Sequence, residues 1–491
     1  MQTHTEPAAP GTPGADTGAG REPTFRYALS AVLMIVAILL IGSLAFQAQI
    51  QLLLFICIVA LIPLVMRLGH DFERTQAMAF DSVRNVLGLI MILVAVGALI
   101  SSWAAAGTIP ALVRVGLLIV SPAAFLPVTL LICMLVSLAT GTSWGTIGTV
   151  GVAMIGVGEG LGYPMALTAG AIVSGAYFGD KMSPFSDSTN LNAALVGVDL
   201  IAHIRHMMWT TVPAIVLAAG VFTVIGVGQA AGGAPAGEAA AITAALEENF
   251  RLGLPAFLPV AVVIVLLVLR RPAFPSIFLG ALAGSAVAVV YQGESVTSVA
   301  AILYSGFTLD SGFGLVDELV SGGGIESMLG TVALFMFAVG MAGLLNHSGM
   351  ILSLIRPFMR LVTTQRRLMV TSVILVPLLI ALGASFSFAA VMAGTLLAPL
   401  YAKFHLDPRN LSRVLEDTGT VNDPTFPWSS GGVFIAGTLG VATLAYLPFY
   451  FFGIFSVVMS LVVAVTGWTV RRLPDAPATA PDRASTEAAP A

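Results

Sequence analysis

Charge is what this chain has least of. Only 9% of its 491 residues are Asp, Glu, Lys or Arg, against about a quarter in soluble domains. That shortage excludes an ordinary water-facing surface. Lysine is nearly absent: Lys181 and Lys403 stand alone among 21 basic residues. There are two cysteines, Cys57 and Cys133, both inside apolar runs. They exclude a disulfide framework and read as small core residues. No P-loop, CxxC, HExxH or nucleophile elbow occurs, and the arginines form no patch for nucleic acid. An enzyme or a nucleic-acid binder is therefore not expected, and no cofactor is called for.

Apolar length is what the chain has most of. Hydrophobic residues make up 57%, and mean hydropathy is +0.97. Residues 27–66, 86–113, 115–158, 368–402 and 424–470 carry no charge. A bilayer crossing takes about 20 apolar residues, so several of these runs hold two passes, or one pass and a re-entrant hairpin. The expectation is an all-α polytopic membrane protein of about ten to twelve membrane segments.

The net charge of −4 decides little, because orientation follows the arginines and lysines near span ends. Arg67, Arg74 and Arg84 share one connection, and Arg270 and Arg271 share another. Arg356, Arg360, Arg366 and Arg367 share a third, and Arg471 and Arg472 follow the last apolar run. Residues 228–255 and 291–326 are acidic by contrast. The arginine connections should face the cytoplasm, with both termini on that side. Residues 1–23 and 474–491, rich in Pro, Ala and Thr, read as disordered cytoplasmic tails. Between them the chain divides into a first unit at 24–228, an extracytoplasmic loop at 229–255 and a second unit at 256–473. The first apolar run is too long for a cleaved signal peptide.

Against this background residues 179–190 (GDKMSPFSDSTN) stand out. Asp180, Lys181 and Asp187 sit between charge-free flanks at 160–178 and 191–198. A charge at bilayer depth costs at least about 2.5 kcal/mol, so it belongs where it meets a cavity, an ion or a partner. Pro184 lacks a backbone donor and disfavours helix at Ser183, so the helix should break here. Broken helices of this kind form the cation sites of secondary transporters. A carboxylate there can hold a proton or a cation in competition. Hard cations prefer oxygen ligands, and Ser183, Ser186, Ser188, Thr189 and Asn190 supply hydroxyls and an amide. Asp180 and Asp187 are thus the candidate carriers, with Ser183, Thr189 and Asn190 as neutral ligands. Lys181 reads either as a salt bridge to Asp180 or Asp187, or as a charge whose protonation moves.

Two further polar stretches join it. Thr142, Ser143 and Thr146, set among Gly141, Gly145 and Gly148, read as the tip of a re-entrant hairpin; close helix packing uses the same residue types. Asp417, Thr418, Thr420, Asn422 and Asp423 form a second acidic group beside Glu416. The nearby Lys403, His405, Asp407, Arg409 and Arg413 read as a solvated loop, with Glu416 at its edge. His203 and His206 read as an interfacial cap. The halves echo each other: residues 137–149 match 380–388 in polarity, and Pro213 follows Asp187 much as Pro448 follows Asp423. Paired, interrupted segments of this kind point to a transporter's binding site.

The motifs GTSWGTIGT (141–149), SGAYFGDKMSP (174–184), SDSTN (186–190) and HIRH (203–206) together resemble the NhaC family of sodium/proton antiporters. GIESM (324–328), LSR (411–413), EDTGT (416–420) and PW (427–428) agree in the second half. The resemblance spans roughly residues 27–468. It implies two inverted repeats, each with a re-entrant hairpin and an unwound helix. It also implies a secondary transporter of a prokaryotic cytoplasmic membrane, exchanging Na⁺ for H⁺ by alternating access in pH homeostasis. Its partners would be a small inorganic cation and the lipid bilayer, and assembly as a homodimer is compatible with it. The runner-up is a Na⁺-coupled carrier of organic anions or amino acids, similar to malate/lactate antiporters, with Lys181 or Arg205 as anchor. Asn422-Asp423-Pro424 departs from the hydroxyl-rich run expected there.

Overall fold

In lipid, a long run without charge satisfies its backbone within one segment only by coiling into a helix, the alternative being a closed barrel of many strands. The computed structural model describes residues 20–231, 236–360 and 362–473. Among them the chain is helical, with two isolated bridges, Phe307–Gly322 and Leu406–Arg472, and no strand. Eight helices are long and apolar enough to cross a membrane, or up to ten if each of two sharply bent pairs is one span. That upper figure meets the lower end of the sequence expectation. Shorter apolar helices such as Ile50–Met66 and Phe451–Thr466 lie outside it. Large apolar side chains face outward, among them Leu33, Leu44, Val216 and Val224, as contact with lipid tails requires.

Residues 1–19 and 474–491, most of the expected tails, lie outside the described residues. Within 229–255, read as a loop from sequence, Ala236–Asn249 forms a helix. It bends by 100° into the next apolar helix.

Two helical hairpins organise the interior. The first runs up Phe125–Thr140, turns at Gly141 and Thr142, and returns through Ser143–Thr146, a π turn at Ile147–Gly151 and Val152–Gly160. Its base closes where the Phe125 and Tyr163 rings meet at 5.1 Å and Thr129 lies 3.7 Å from the Met154 sulfur. The second runs up Gln365–Gly383, turns at Ala384 and Ser385, and returns through Phe386–Lys403, with Tyr401 bonded to Ser372 at 3.2 Å. Both tips use the same backbone: a left-handed residue (Gly141 φ 73°, Ala384 φ 55°), then an extended N-cap (Thr142 φ −146°, Ser385 φ −153°).

Each hairpin is followed by a broken helix. Met165–Met182 and Asp187–Leu195 flank the first break. Pro408–Thr418 and Ser430–Leu439 flank the second, which holds a 3-10 turn at Thr420–Thr425.

Small residues fix how the first pair meets. A Cβ on Gly175 would fall 2.4 Å from the Leu130 carbonyl, and one on Gly179 would fall 2.5 Å from the Leu138 nitrogen. Met165–Met182 therefore lies backbone to backbone on Phe125–Thr140, which delivers Asp180 to the hairpin tip. Gly179→Ala should cost about 1–3 kcal/mol by overpacking, read as a lower melting temperature in detergent. Gly220→Ala is the control, because a Cβ added there would meet nothing within 4 Å. Equal melting of both variants would mean that the two helices do not meet this closely.

Candidate functional site

Pro184 acts as the sequence suggests. Ser183 takes extended backbone (φ −79°, ψ 129°), and the helix resumes at Asp187 with Ser186 as N-cap. Asp180, in the last turn before the gap, accepts a hydrogen bond from Ser186 at 2.5 Å and another from Ser143 at 2.7 Å. Ser143 opens the return helix of the first hairpin, so the positive end of that helix faces the carboxylate.

The second half repeats the device. Asp423 lies in the gap after Pro408–Thr418 and accepts from Ser430 at 2.9 and 3.0 Å. It also faces the backbone amide of Phe386, the first residue of the second hairpin's return helix. Each half thus holds a carboxylate between a helix break and a hairpin tip.

A cavity of about 1130 Å³ reaches both carboxylates. Thr142, Ser143, Asp180, Asp187 and Ser188 line it from the first half, and Ser385, Ser387, Thr420, Asp423 and Ser430 from the second. Among its lining residues there is no lysine or arginine. It extends to Asn85 and Pro272, the neighbours of Arg84 and Arg271, and so reaches the side on which the arginine connections lie.

The other residues singled out from sequence divide into groups. Asp187 is exposed on the cavity wall rather than enclosed with Asp180. Thr142 lines the cavity and caps the return helix through the Gly145 amide at 3.2 Å. Thr189 crosses the break to the Lys181 carbonyl at 3.0 Å. Ser183, Thr146 and Thr418 donate to the carbonyls of Leu138, Thr142 and Val414 at 2.9, 3.0 and 2.7 Å. Asn190 and Asn422 donate to the carbonyls of Ser186 and Thr418 at 2.7 and 3.0 Å. Four of these brace backbone within four residues, Ser183 ties the break to the first hairpin, and none lines the cavity. Among the described residues no three His, Cys, Asp or Glu side chains gather as a metal cluster.

Lys181 does not pair with Asp180 or Asp187. Its ammonium bonds to Asp417, and both side chains are fully buried. Consecutive helical residues point about 100° apart, so Asp180 faces the cavity while Lys181, absent from its lining, turns away into the core. Asp417 also accepts from Thr210 at 3.0 Å and Ser460 at 3.1 Å. It therefore belongs to a structural knot away from the cavity lining.

The expected solvated loop holds at its start, where Lys403 and His405 are exposed, and fails further on. Arg413 and Glu416 are fully buried, as are His203 and very nearly His206. Arg413 lies in the field of Asp417 and Tyr401, and His203 bonds to Ser412 at 2.9 Å. Composition misleads here because charges buried between helices look, in sequence, like a water-facing helix. Ser430, which holds Asp423, was not singled out; its signal was the Ser429-Ser430-Gly431-Gly432 run at a helix start.

A model of the Na⁺/H⁺ antiporter family matches residues 175–468. The chain belongs to that family. It is 36% identical over 447 residues to the malate-2H⁺/Na⁺-lactate antiporter of Bacillus subtilis (strain 168), covering 91% of this chain and 96% of that one. It is 36% identical over 446 residues to the Na⁺/H⁺ antiporter NhaC of Alkalihalophilus pseudofirmus, covering 90% and 95%. It is also 36% identical over 458 residues to the arginine/ornithine antiporter ArcD of Halobacterium salinarum, covering 91% and 93%. As a member of the family, the chain is a multi-pass secondary transporter. The named solutes of these relatives differ.

Proposed function

We propose that this transporter exchanges Na⁺ for H⁺ across the cytoplasmic membrane by alternating access, with its arginine connections and both termini in the cytoplasm. One observation carries the reading: the cavity between the two helix breaks is lined by Asp180, Asp187 and Asp423 and by no lysine or arginine. Such a wall attracts a small cation and repels an organic anion. The two side chains named from sequence as possible anion anchors are elsewhere. Lys181 is bound to Asp417, and Arg205 is exposed and does not line the cavity.

In this reading Asp180 binds either a proton or Na⁺. Ser143 and Ser186 hold its oxygens in place, and the hairpin tip supplies hydroxyl and carbonyl oxygens to a hard cation. Asp423 does the same from the other half, with the two halves acting as inverted repeats. The bilayer and the cation are the partners required.

A cationic amino acid is the second reading. The acidic wall favours it, and a cavity of about 1130 Å³ has room for it. In proteoliposomes containing a pH dye, Na⁺ alone should drive proton movement, with no organic solute present. Movement that appears only with arginine or ornithine favours the second reading. Movement that appears only with malate or lactate defeats both.

A further inference from the structure

Asp180 is joined to a carboxylate of the other half. Ser186 donates to Asp180 at 2.5 Å, Ser188 donates to Glu416 at 3.0 Å, and the two serine oxygens lie 3.0 Å apart. The sequence Asp180–Ser186–Ser188–Glu416 is a chain of three oxygen–oxygen contacts. Each contact needs one hydrogen, and a serine hydroxyl brings one only. Two hydroxyls therefore serve two contacts. With both carboxylates ionised, the middle contact sets lone pair against lone pair.

One added proton completes the chain. Placed on Glu416, it donates to Ser188; Ser188 turns to donate to Ser186, and Ser186 continues to donate to Asp180. Placed on Asp180, it donates to Ser186, which then donates to Ser188, which donates to Glu416. The two arrangements interconvert by moving three hydrogens one step each. Three O–H bonds break and three form, and a carboxylate and a carboxylic acid exchange places.

A second, independent feature points the same way. Asn192 is fully buried and its amide nitrogen bonds to Glu416, while its amide oxygen finds no partner among the described residues. With the shared proton on Oε1 toward Ser188, Oε2 still accepts from the Asn192 amide; with the proton on Oε2 instead, half a turn of the amide presents its oxygen to receive it. Asn192 can thus serve Glu416 in either protonation state.

We propose that Glu416 is a second proton-binding group of the exchange site, sharing one proton with Asp180 through Ser186 and Ser188. This rests on the exchange reading above. Asp180 meets the cavity; Glu416 is absent from its lining and fully buried. The proton displaced from Asp180 by an arriving cation then has a place to go within the protein.

Other charged or titratable groups surround the pair. Lys181 faces Glu416, Asp187 faces Asp180, and Tyr177 and Tyr450 lie in the field of Asp180. His203 and Arg413 stand behind Asp417. All stay in place in the variants below.

The test is the pH profile of Na⁺-driven proton movement in proteoliposomes. Glu416→Gln supplies the missing hydrogen permanently from its amide and removes a negative charge. Ser188→Ala cuts the chain. Glu416→Gln should make the proton on Asp180 easier to lose, moving the profile acid by about one pH unit; Ser188→Ala, which also takes a donor from the ionised Glu416, should move the profile away from the parent's as well. The double variant should shift no further than the larger single shift, because both changes act on one chain. Ser188→Thr, which keeps the hydroxyl, should return the profile to that of the parent. A folded Ser188→Ala or Glu416→Gln variant with the parent's profile overturns the proposal. Absence of Na⁺-driven movement in the unmodified protein overturns the exchange reading instead.

Discussion

Asp180→Asn should reduce exchange by about a hundredfold or more, the scale on which a positioned proton carrier matters, while the protein stays folded. Asn fills the same space and keeps an oxygen toward Ser143 or Ser186, but it cannot take up and release a proton. The result should differ from that of Asp187→Asn. Asp187 is exposed on the cavity wall at the first turn of its helix, where its charge attracts cations without being enclosed. Its loss should raise the Na⁺ concentration needed for half-maximal exchange and leave the maximal rate near that of the parent. Both variants should be assayed after purification, at matched melting temperature, with initial rates of dye response over a Na⁺ series. If Asp187→Asn abolishes exchange and Asp180→Asn does not, the cation is held at the wall and the Ser143–Asp180–Ser186 arrangement is structural.

The difference between these two aspartates marks how far sequence could reach. Residues 179–190 announced a helix break at membrane depth, and the break falls at Ser183–Ser186 because Pro184 removes a donor and Ser186 caps the helix that resumes at Asp187. Gly141 and its neighbours announced a tip, and the close approach of Phe185 there, rather than the left-handed turn that Ala384 also makes, demands a residue without a Cβ. An added Cβ on Gly141 would lie 2.8 Å from the Phe185 backbone. Local chemistry of this kind is legible because cause and effect sit within a few residues.

Pairing across the molecule is not legible in the same way. Lys181 meets a partner 236 positions away, and nothing in the spacing of Asp180, Lys181 and Asp187 distinguishes the cavity face of the helix from its buried face. Charge density misled as well. Arg413, Glu416 and Asp417 lie three and four residues apart on one helix, a pattern that in water marks an exposed face. In this chain the same helix is enclosed by others, with Asp417 paired to Lys181 and all three side chains buried. The contacts of Glu416 with Ser188 and Asn192 follow only from the fold.

Lys181→Met should cost about 3–5 kcal/mol of stability, because it leaves the Asp417 carboxylate buried without its counter-ion. Asp417 is held by side chains from Met165–Met182, Leu200–Ala231 and Phe451–Thr466, so the loss should be felt as weakened packing among four helices. Asp417→Asn should be costly for the converse reason, stranding an ammonium against Ser456 and the Phe452 ring. The combination of Lys181→Met with Asp417→Leu removes both charges at once. Replacing a buried ion pair by apolar groups of similar volume is commonly neutral or stabilising, so the double variant should recover most of the melting temperature lost by either single one. Melting in detergent of the parent, Lys181→Met, Asp417→Leu and the double variant completes the cycle. Equal and additive losses would show that Lys181 and Asp417 do not depend on each other. With the recovery established, exchange by the double variant then asks whether this knot only holds the helices or also takes part in the cycle. Because the pair lies off the cavity, exchange should persist in the double variant with Na⁺ alone as the driving ion.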